Sequence, residues 1–472
     1  MPGGAGSGVR SQVLHRSHRL ERSSAAIGPI ALVCGMAVAT FSVVQYRPGI
    51  VAAYTVLALA LAAGLAVHRA GRLDRPAAAA ALALCAVLTV KVHAYTYLQP
   101  ADARAVRWGL AVTALLAAAA FLLPLRRGPD LGLGLALTGY LAAAVALIRL
   151  DPAPRIDVWV MLQQAGDALA RGENIYTRVW VGSPGVQDAF TYLPGTAVLL
   201  APGRLLLGDV RWMLVALTVA SVLALRWTAG RVPLDRPQTS AVVAAGAGAL
   251  LLLLPGTSTQ VEQAWTEPLL LACLAGWAVC TRLGRTLPAV VLLALGLASK
   301  QHLVLLLPVL AAWPRFGLRR TAAAAGLAGL FVLPWFLASP RDFWHDTVRL
   351  LIDFQPLRFA DTLFIAALHE FGSPPPFWLT GAVILATVSA VAVTVHRRNP
   401  DLGEVLRWLA LILFVANLVN KQAFYNQYWL VAALVVVSWA FPAPAATAPP
   451  AGEEAGGPSR ARGVGDEVPA RS

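Results

Sequence analysis

The chain has 472 residues, of which 58% are hydrophobic and only 13% are charged. Soluble domains carry roughly one-quarter charged residues, so this composition excludes an ordinary soluble protein. Apolar runs of about 20 residues, the length that an α-helix needs to cross the hydrocarbon, recur along nearly the whole chain. Their Leu, Ala and Val content favours helices over a membrane barrel. We therefore predict an all-α fold, a polytopic transmembrane helical bundle.

The charge balance, 38 Lys and Arg against 24 Asp and Glu, would suggest a nucleic-acid partner in a soluble protein. Here the basic residues lie mostly in short connections between apolar runs, where they set the cytoplasmic side. We therefore expect membrane lipids and no nucleic acid as partners. We also expect a multi-pass plasma-membrane protein with cytoplasmic N- and C-termini. The four cysteines lie within apolar runs and show no metal-ligand spacing, which is typical of small buried side chains.

The first half of the chain contains a basic N-terminus, residues 1–26, and a series of predicted spans. Those spans are Ile27–Tyr46, Ile50–His68, Ala77–Tyr95, Val106–Leu125 and Leu131–Arg149. Their alternating basic turns place the polar segment 151–190 on the outer side. The next apolar run, Tyr192–Leu207, is short and is broken by Pro194-Gly195 and by Pro202-Gly203. These breaks favour a juxtamembrane helix that does not cross.

The second half is predicted to contain seven further single spans and one hairpin. The spans are Trp212–Thr228, Ala241–Leu254, Pro268–Cys280, Ala322–Ala338, Phe377–Val395, Val405–Val419 and Tyr428–Phe441. Pro288–Trp313 has basic turns at both ends, so we predict two short helices with Lys300 at the tip, and about fourteen crossings in total. Residues 442–472 have almost no large apolar side chains, and we expect a disordered cytoplasmic tail.

Asp157 is the leading candidate for chemistry, because it opens an amphipathic segment just past a predicted span. A carboxylate near the headgroup level is partly desolvated and can accept a proton from a sugar hydroxyl. An ordinary helix N-cap is the alternative interpretation, since Asp ahead of a helix satisfies unpaired backbone N–H groups.

A short outer turn carries Glu262 and Glu267. Two carboxylates on one turn could hold a divalent cation against phosphate oxygens or orient a basic partner. The alternative is a solvated turn, and Glu267 before Pro268 also suits the first turn of a helix, where its charge complements the helix dipole.

Two further groups carry polar side chains at the predicted outer side. Lys300, with Gln301 and His302, lies in an apolar hairpin and would match the charge of a lipid phosphate, unless it snorkels to the interface. Amide and aromatic groups typical of sugar sites surround Lys421, although an aromatic belt explains the tyrosines equally well. The residues of that second group are Asn420, Lys421, Gln422, Tyr425 and Asn426. In the loop 340–376 the spacing selects no residue, so we expect His345, Asp346, Asp353, His369 and Glu370 to be solvated.

Three motifs resemble a known family. They are Asp157-x-Trp-x-Met-x-x-x-Ala-Gly-x-Ala-Leu-Ala-x-Gly-x-Asn-Ile-Tyr176, Phe190-Thr-Tyr-Leu-Pro-Gly-Thr-Ala, and Gly296-Leu-Ala-Ser-Lys300. The pattern resembles the bacterial membrane mannosyltransferases that use polyprenyl-phosphate-mannose, within the C-type (GT-C) glycosyltransferase superfamily. The resemblance covers roughly residues 131–441, the expected catalytic module, and leaves the helices of residues 27–130 as an addition or a divergent part.

The resemblance implies roles for several residues. Asp157 takes the place of the acidic residue that acts as catalytic base, and the turn with Glu262 and Glu267 corresponds to a second acidic motif that binds metal or donor phosphate in some branches. The Tyr192-Leu-Pro194 stretch is similar to a Tyr-Pro-Pro motif, with Leu193 replacing the first proline. The implied reaction is inverting transfer of a hexose, mannose above all, from a polyprenyl-phosphate donor to a lipid or cell-envelope glycan acceptor at the outer face.

Two other functions remain open. A polytopic transporter or flippase of lipid-linked sugars is the main alternative, and a non-catalytic scaffold that binds such lipids is another. Transporters tend to show internal repeats and discontinuous helices near the midplane. The chain shows no convincing repeat, and its polar residues gather at one side, which favours the enzyme.

Overall fold

The structure, a computed structural model, describes residues 27–43, 45–67, 73–91, 95–231 and 237–441. Within these ranges the regular structure is helical and contains no strand, which confirms the predicted all-α class. The predictions for the basic N-terminus, residues 1–26, and for the tail, residues 442–472, lie outside the described residues.

The α-helices are named α1 to α20 in chain order. They are α1 Ile27–Ala39, α2 Pro48–Ala66, α3 Arg75–Lys91, α4 Pro100–Leu122, α5 Gly128–Leu150, α6 Asp157–Ala170, α7 Pro194–Leu207, α8 Arg211–Ala229, α9 Pro237–Leu253, α10 Thr257–Glu262, α11 Glu267–Arg282, α12 Thr286–Leu297, α13 Leu307–Ala312, α14 Gly317–Ala338, α15 Pro340–Trp344, α16 Leu350–Asp353, α17 Leu363–Phe371, α18 Phe377–Arg398, α19 Leu402–Val419 and α20 Tyr425–Trp439. A 3-10 segment, Gln301–Leu306, precedes α13, and a π-helical turn, His345–Arg349, joins α15 to α16.

Seven of the described helices are long and apolar enough to cross a membrane, namely α2, α4, α5, α8, α14, α18 and α19. Shorter apolar helices of 10–17 residues occur at α1, α7, α9, α12 and residues 301–312. This pattern indicates a multi-pass membrane protein. The total of about fourteen crossings stays a prediction.

Contacts between helix ends define two faces of the bundle. At one, the site face, Arg211 Nη2 at the start of α8 donates to Asp151 O beyond the end of α5, at 2.8 Å. At the other, the basic face, Arg226 Nε near the end of α8 donates to Asp130 Oδ1 near the start of α5, at 2.7 Å. The basic face also holds Arg75 against the end of α4, Arg231 and Arg285 against Trp227, and Arg398 against the end of α2. These basic turns gather at one end of the bundle. Their position agrees with the alternation of basic turns along the chain, from which the topology is predicted.

Helix α7 begins and ends at the site face. At its start, the N–H groups of Leu193 and Gly195 donate to Ser299 O and Ala298 O, at 3.2 and 2.8 Å. At its end, Gly208 adopts a left-handed conformation with φ 81° and leads within three residues to the start of α8 at the same face. The prediction that this apolar run does not cross is therefore confirmed.

Residues 286–312 form the predicted hairpin. At its tip Lys300 Nζ lies 2.6 Å from Glu267 Oε1 at the start of α11. Just beyond its end the Trp313 ring lies 6.2 Å from the Trp277 ring, near the opposite end of α11. The chain direction therefore reverses at Lys300, which confirms the two short helices and the position of the tip.

The N-terminal helices pack onto the rest of the bundle. One apolar core cluster contains buried residues from Val33 to Phe441. Within it Tyr54 of α2 stacks on Tyr428 of α20 with ring centroids 4.0 Å apart. The helices of residues 27–130 therefore share their core with the later helices, and the backbone of Thr96 and Tyr97, between α3 and α4, is bound by Glu262 at the end of α10.

Candidate active site

Asp157 is the first residue of α6 and is partly buried. The N-cap is Ile156, which has an extended backbone and makes no side-chain cap bond. An N-cap carboxylate accepts from the second or third helical N–H, whereas Asp157 Oδ1 accepts from the N–H of Val158, its immediate neighbour, at 2.8 Å. The N-cap interpretation is therefore wrong. A Cβ at Gly185 would lie 2.5 Å from Asp157 Oδ2, so glycine is what lets the loop 180–192 pass against this carboxylate.

Polar contacts to the turn after α7 fix the orientation of α6. Trp159 Nε1 donates to both oxygens of Asp209, at 3.3 and 3.2 Å. Gln163 Oε1 accepts from Val210 N–H at 3.0 Å, and Gln163 Nε2 donates to Gly208 O at 3.2 Å. Because Trp159 is two residues from Asp157, these contacts also set the position of the catalytic candidate.

A buried ion pair supports that turn. Arg211 is fully buried, and its Nε and Nη2 donate to both oxygens of Asp209, with a shortest distance of 2.7 Å. The same Nη2 donates to Asp151 O, which ties α5, α8 and the start of the polar segment together. Sequence reasoning missed this pair. The available signal was two opposite charges, two residues apart, between apolar runs.

Glu267 and Lys300 form a second buried ion pair. Glu267 is the first residue of α11, before Pro268, as the helix-start interpretation predicted, and its side chain is fully buried. Lys300 Nζ donates to Glu267 Oε1 at 2.6 Å and to Thr266 Oγ1 at 3.2 Å. An ammonium has three N–H donors, so one remains for a ligand. Glu267 Oε2 has no hydrogen-bond partner among the described residues.

Tyr192 connects this pair with Asp157. Lys300 Nζ lies 5.4 Å from the centroid of the Tyr192 ring, within the range of a cation–π contact. Burial raises the pKa of the Tyr192 phenol well above its ordinary value, and the negative charges of Glu267 and Asp157 raise it further. The charges of both carboxylates therefore act on this phenol. We call these four residues, Asp157, Tyr192, Glu267 and Lys300, the transfer site.

Glu262 fixes a loop of the N-terminal helices beside this site. Its Oε1 accepts from the N–H groups of Thr96 and Tyr97, at 2.7 and 2.8 Å, and its Oε2 accepts from Gln263 Nε2 at 2.7 Å. Burial raises the pKa of the Glu262 carboxyl, while these hydrogen bonds lower it. Burial, then the charges of Glu262 and Asp157, raise the pKa of Tyr97 to about 12. Tyr97, which sequence reasoning missed, therefore borders the transfer site.

The acidic turn does not fit the divalent cation suggested by the sequence. The oxygens of Glu262 already accept from N–H groups, and Glu267 faces an ammonium. Ca²⁺ and Mg²⁺ need several oxygen ligands free to coordinate. Across the described ranges, no three His, Cys, Asp or Glu residues gather in a way that could hold a metal.

Gln301 and His302, two further predicted site residues, make contacts in different places. Gln301 Nε2 donates to Thr191 O and Thr347 O, at 3.0 and 3.1 Å, and so links the hairpin tip to the segment before α7. His302 lines a separate cavity together with Asn420.

Lys421 and Tyr425 bind backbone carbonyls. Lys421 Nζ donates to Ile352 O and Phe354 O, both at 2.7 Å. The Tyr425 hydroxyl donates to Pro255 O at 2.7 Å, and Gly256, with φ 94°, leaves room for that ring. The charge of Lys421 is thus directed to the end of α16, whereas Lys300 lies against the Tyr192 ring.

Asp346 overturns the prediction of a solvated loop at its position. It is 1% exposed, and its Oδ2 accepts from Phe190 N–H at 2.7 Å while His345 Nδ1 lies 2.9 Å from its Oδ1. Burial raises the pKa of the Asp346 carboxyl. Nearby, the Tyr176 hydroxyl donates to Tyr192 O at 2.9 Å. These contacts hold the segment 190–192 at the transfer site, and nothing in the local spacing indicated them.

Comparison with known proteins supports a transferase. Residues 190–420 match the profile of glycosyltransferase family 87. No curated protein matches the chain. The matched range contains Tyr192, Glu267 and Lys300 and ends at Asn420, whereas Asp157 precedes it. Over this range the chain is similar to glycosyltransferase family 87, and together with its apolar helices the match indicates a membrane glycosyltransferase.

Proposed function

We propose that the chain transfers a hexose, with mannose as the first candidate, from a polyprenyl-phosphate donor to a lipid or cell-envelope glycan acceptor. The observation that carries the proposal is the Lys300 ammonium, which Glu267 holds 5.4 Å from the Tyr192 ring, at the face of the bundle where the partly buried Asp157 begins α6. A base for the acceptor and a cation for the departing phosphate are the two groups that this reaction needs.

In the proposed reaction Asp157 takes the proton of the acceptor hydroxyl. The hydroxyl oxygen then attacks the anomeric carbon with inversion, and the bond from that carbon to the phosphate oxygen breaks. The polyprenyl phosphate leaves with the bonding electron pair and needs no general acid, unlike the leaving group of a two-carboxylate hydrolase. The free N–H of Lys300 donates to the phosphate, while Glu267 and Thr266 hold the ammonium in place.

We further propose that the transfer site faces the outside of the plasma membrane. The support is the gathering of Arg75, Arg226, Arg285 and Arg398 at the opposite face of the bundle. Basic turns of this kind stay on the cytoplasmic side. Both termini would then be cytoplasmic.

Reconstitution with a radiolabelled polyprenyl-phosphate-mannose donor and a membrane lipid extract as acceptor tests the proposal. We expect Asp157→Asn to reduce transfer by about 10²-fold or more, the usual contribution of a general base. Asp188→Asn is the matched control, because Asp188 is an exposed carboxylate in the loop that passes Asp157. Equal transfer by Asp157→Asn and the wild type would remove Asp157 from the mechanism. Movement of intact donor across the vesicle membrane, with no transfer, would favour the flippase.

A further inference from the structure

A second polar region lies beside the hairpin tip, between the 3-10 segment, α18 and α19. A cavity of about 140 Å³ is enclosed by the 3-10 segment after Lys300, by α18 and α19, and by the start of α20. Its polar lining consists of His302, Thr380, Asn417, Asn420 and Gln427. A water occupies about 30 Å³ of liquid, so the cavity has room for several waters or for part of a polar headgroup.

The lining offers hydrogen bonds but no formal charge. Neither His302 nor Asn417 makes a side-chain hydrogen bond to another residue in the part of the chain that the structure describes. Asn420 and Gln427 each use the amide oxygen to accept a backbone N–H, which leaves their NH₂ groups as donors. None of the lining residues is Lys, Arg, Asp or Glu. Neutral donors and acceptors together suit hydroxyl groups, whereas a phosphate or carboxylate would call for a cation.

The cavity reaches the apolar outer surface of the bundle. Phe377, at the start of α18, lines the cavity and is 58% exposed. Helix α18 is apolar and long enough to span a membrane, and only 22% of its apolar window is buried inside the protein. A ligand seated in the cavity can therefore extend a hydrocarbon chain along α18 into the bilayer.

We propose that this cavity binds the uncharged, hydroxyl-bearing headgroup of a membrane glycolipid whose hydrocarbon chains lie against α18. His302 and Lys300 are two residues apart on one hairpin tip, so the bound headgroup lies next to the transfer site. If the proposed function holds, this lipid is the acceptor, and only that last assignment rests on the proposed function.

Gly381 provides a direct test. A Cβ added there meets nothing within 4 Å, although the residue lines the cavity, so the backbone admits a side chain at this position and Gly381→Leu should reduce the space. Gly329→Leu on α14 is the matched control, because Gly329 also lies within a membrane-length apolar helix with nothing within 4 Å of an added Cβ, and it does not line the cavity. The full chain is placed in phosphatidylcholine nanodiscs, and binding of a dialkyl glucoside lipid is measured by native mass spectrometry. Phosphatidylglycerol with matched chains serves as the charged comparison.

We expect the glucoside lipid to bind Gly381→Leu about tenfold more weakly than the wild type, with no change for Gly329→Leu. Asn417→Leu should weaken its binding about fivefold, the effect of one lost hydrogen bond, and leave phosphatidylglycerol unaffected. Equal binding to the wild type and Gly381→Leu would overturn the site. Equal binding of the charged lipid by the wild type would overturn the headgroup assignment.

The binding measurement requires no sugar transfer, so the two proposals can fail separately. If no variant transfers sugar but the binding pattern holds, the proposed function fails and the glycolipid site stands. If transfer proceeds and Gly381→Leu binds normally, the glycolipid site alone is refuted.

Discussion

Removal of the Lys300 ammonium should strongly destabilise the site face. The Nζ atom lies 2.6 Å from Glu267 Oε1, and the Glu267 side chain is fully buried. Its Oε2 already lacks a hydrogen-bond partner among the residues that the structure describes. Lys300→Met therefore leaves a carboxylate buried without its counter-charge, and loss of one partner of a buried pair costs about 3–5 kcal/mol.

Removal of the Glu267 charge should cost less stability than removal of the Lys300 charge. In Glu267→Gln the amide oxygen still accepts from Lys300, and the Lys300 side chain, 11% exposed, retains some contact with solvent. We expect a loss of about 1–2 kcal/mol, the scale of one charge-assisted hydrogen bond. The double variant Glu267→Gln/Lys300→Met has no buried charge. It should be more stable than Lys300→Met alone by about 2 kcal/mol, because no carboxylate is left buried without its counter-charge. The two losses are then not additive, as is typical of residues in direct contact.

Denaturant titration in mixed micelles, followed by circular dichroism, measures the free energy of unfolding for this double-variant cycle. Arg349→Met is the control, because its partner Asp353 and Arg349 itself are 62% and 70% exposed, and exposed pairs of this kind contribute little. Strictly additive losses, or a Lys300→Met variant as stable as the wild type, would refute the reasoning.

Three further outcomes test other parts of the structure. Arg211→Met leaves the buried Asp209 without its counter-charge and should lower the free energy of unfolding by about 3–5 kcal/mol. A wild-type midpoint in thermal or denaturant unfolding would contradict this. Glu262→Ala leaves two backbone N–H groups without their acceptor, at about 1–3 kcal/mol each, whereas Glu262→Gln keeps an acceptor for both and should lose less stability. Burial raises the pKa of Asp346, so folding binds its proton more tightly and the wild type loses stability relative to Asp346→Asn as the pH rises from about 4 through the raised pKa. A stability difference that stays constant over this pH range would refute the last prediction.

Features that depend on local sequence could be predicted from the chain alone. Proline breaks and the short length predicted that Tyr192–Leu207 does not cross, and basic turns on both sides of Pro288–Trp313 predicted a hairpin. Both follow from the cost of placing charge or unpaired backbone in hydrocarbon, a cost that each segment carries by itself. The same local logic placed Glu267 at a helix start.

Long-range partners could not be predicted in this way. Glu262 binds the N–H groups of Thr96 and Tyr97, 166 and 165 residues away, and Asp346 accepts from Phe190, 156 residues away. Whether such a carboxylate faces solvent or a distant backbone depends on which helices pack together. Without those contacts Asp346 resembles any other loop residue.

The sequence by itself determined that the protein is a helical membrane protein with a polar segment led by Asp157 between its apolar runs, because hydrophobicity and charge act on each segment independently. Only the tertiary structure decided that Lys300 pairs with Glu267 beside Tyr192, while Lys421 is directed to backbone carbonyls. Both lysines carry the same charge in similar apolar contexts. The difference between them arises from the acceptors that distant helices bring within hydrogen-bond reach.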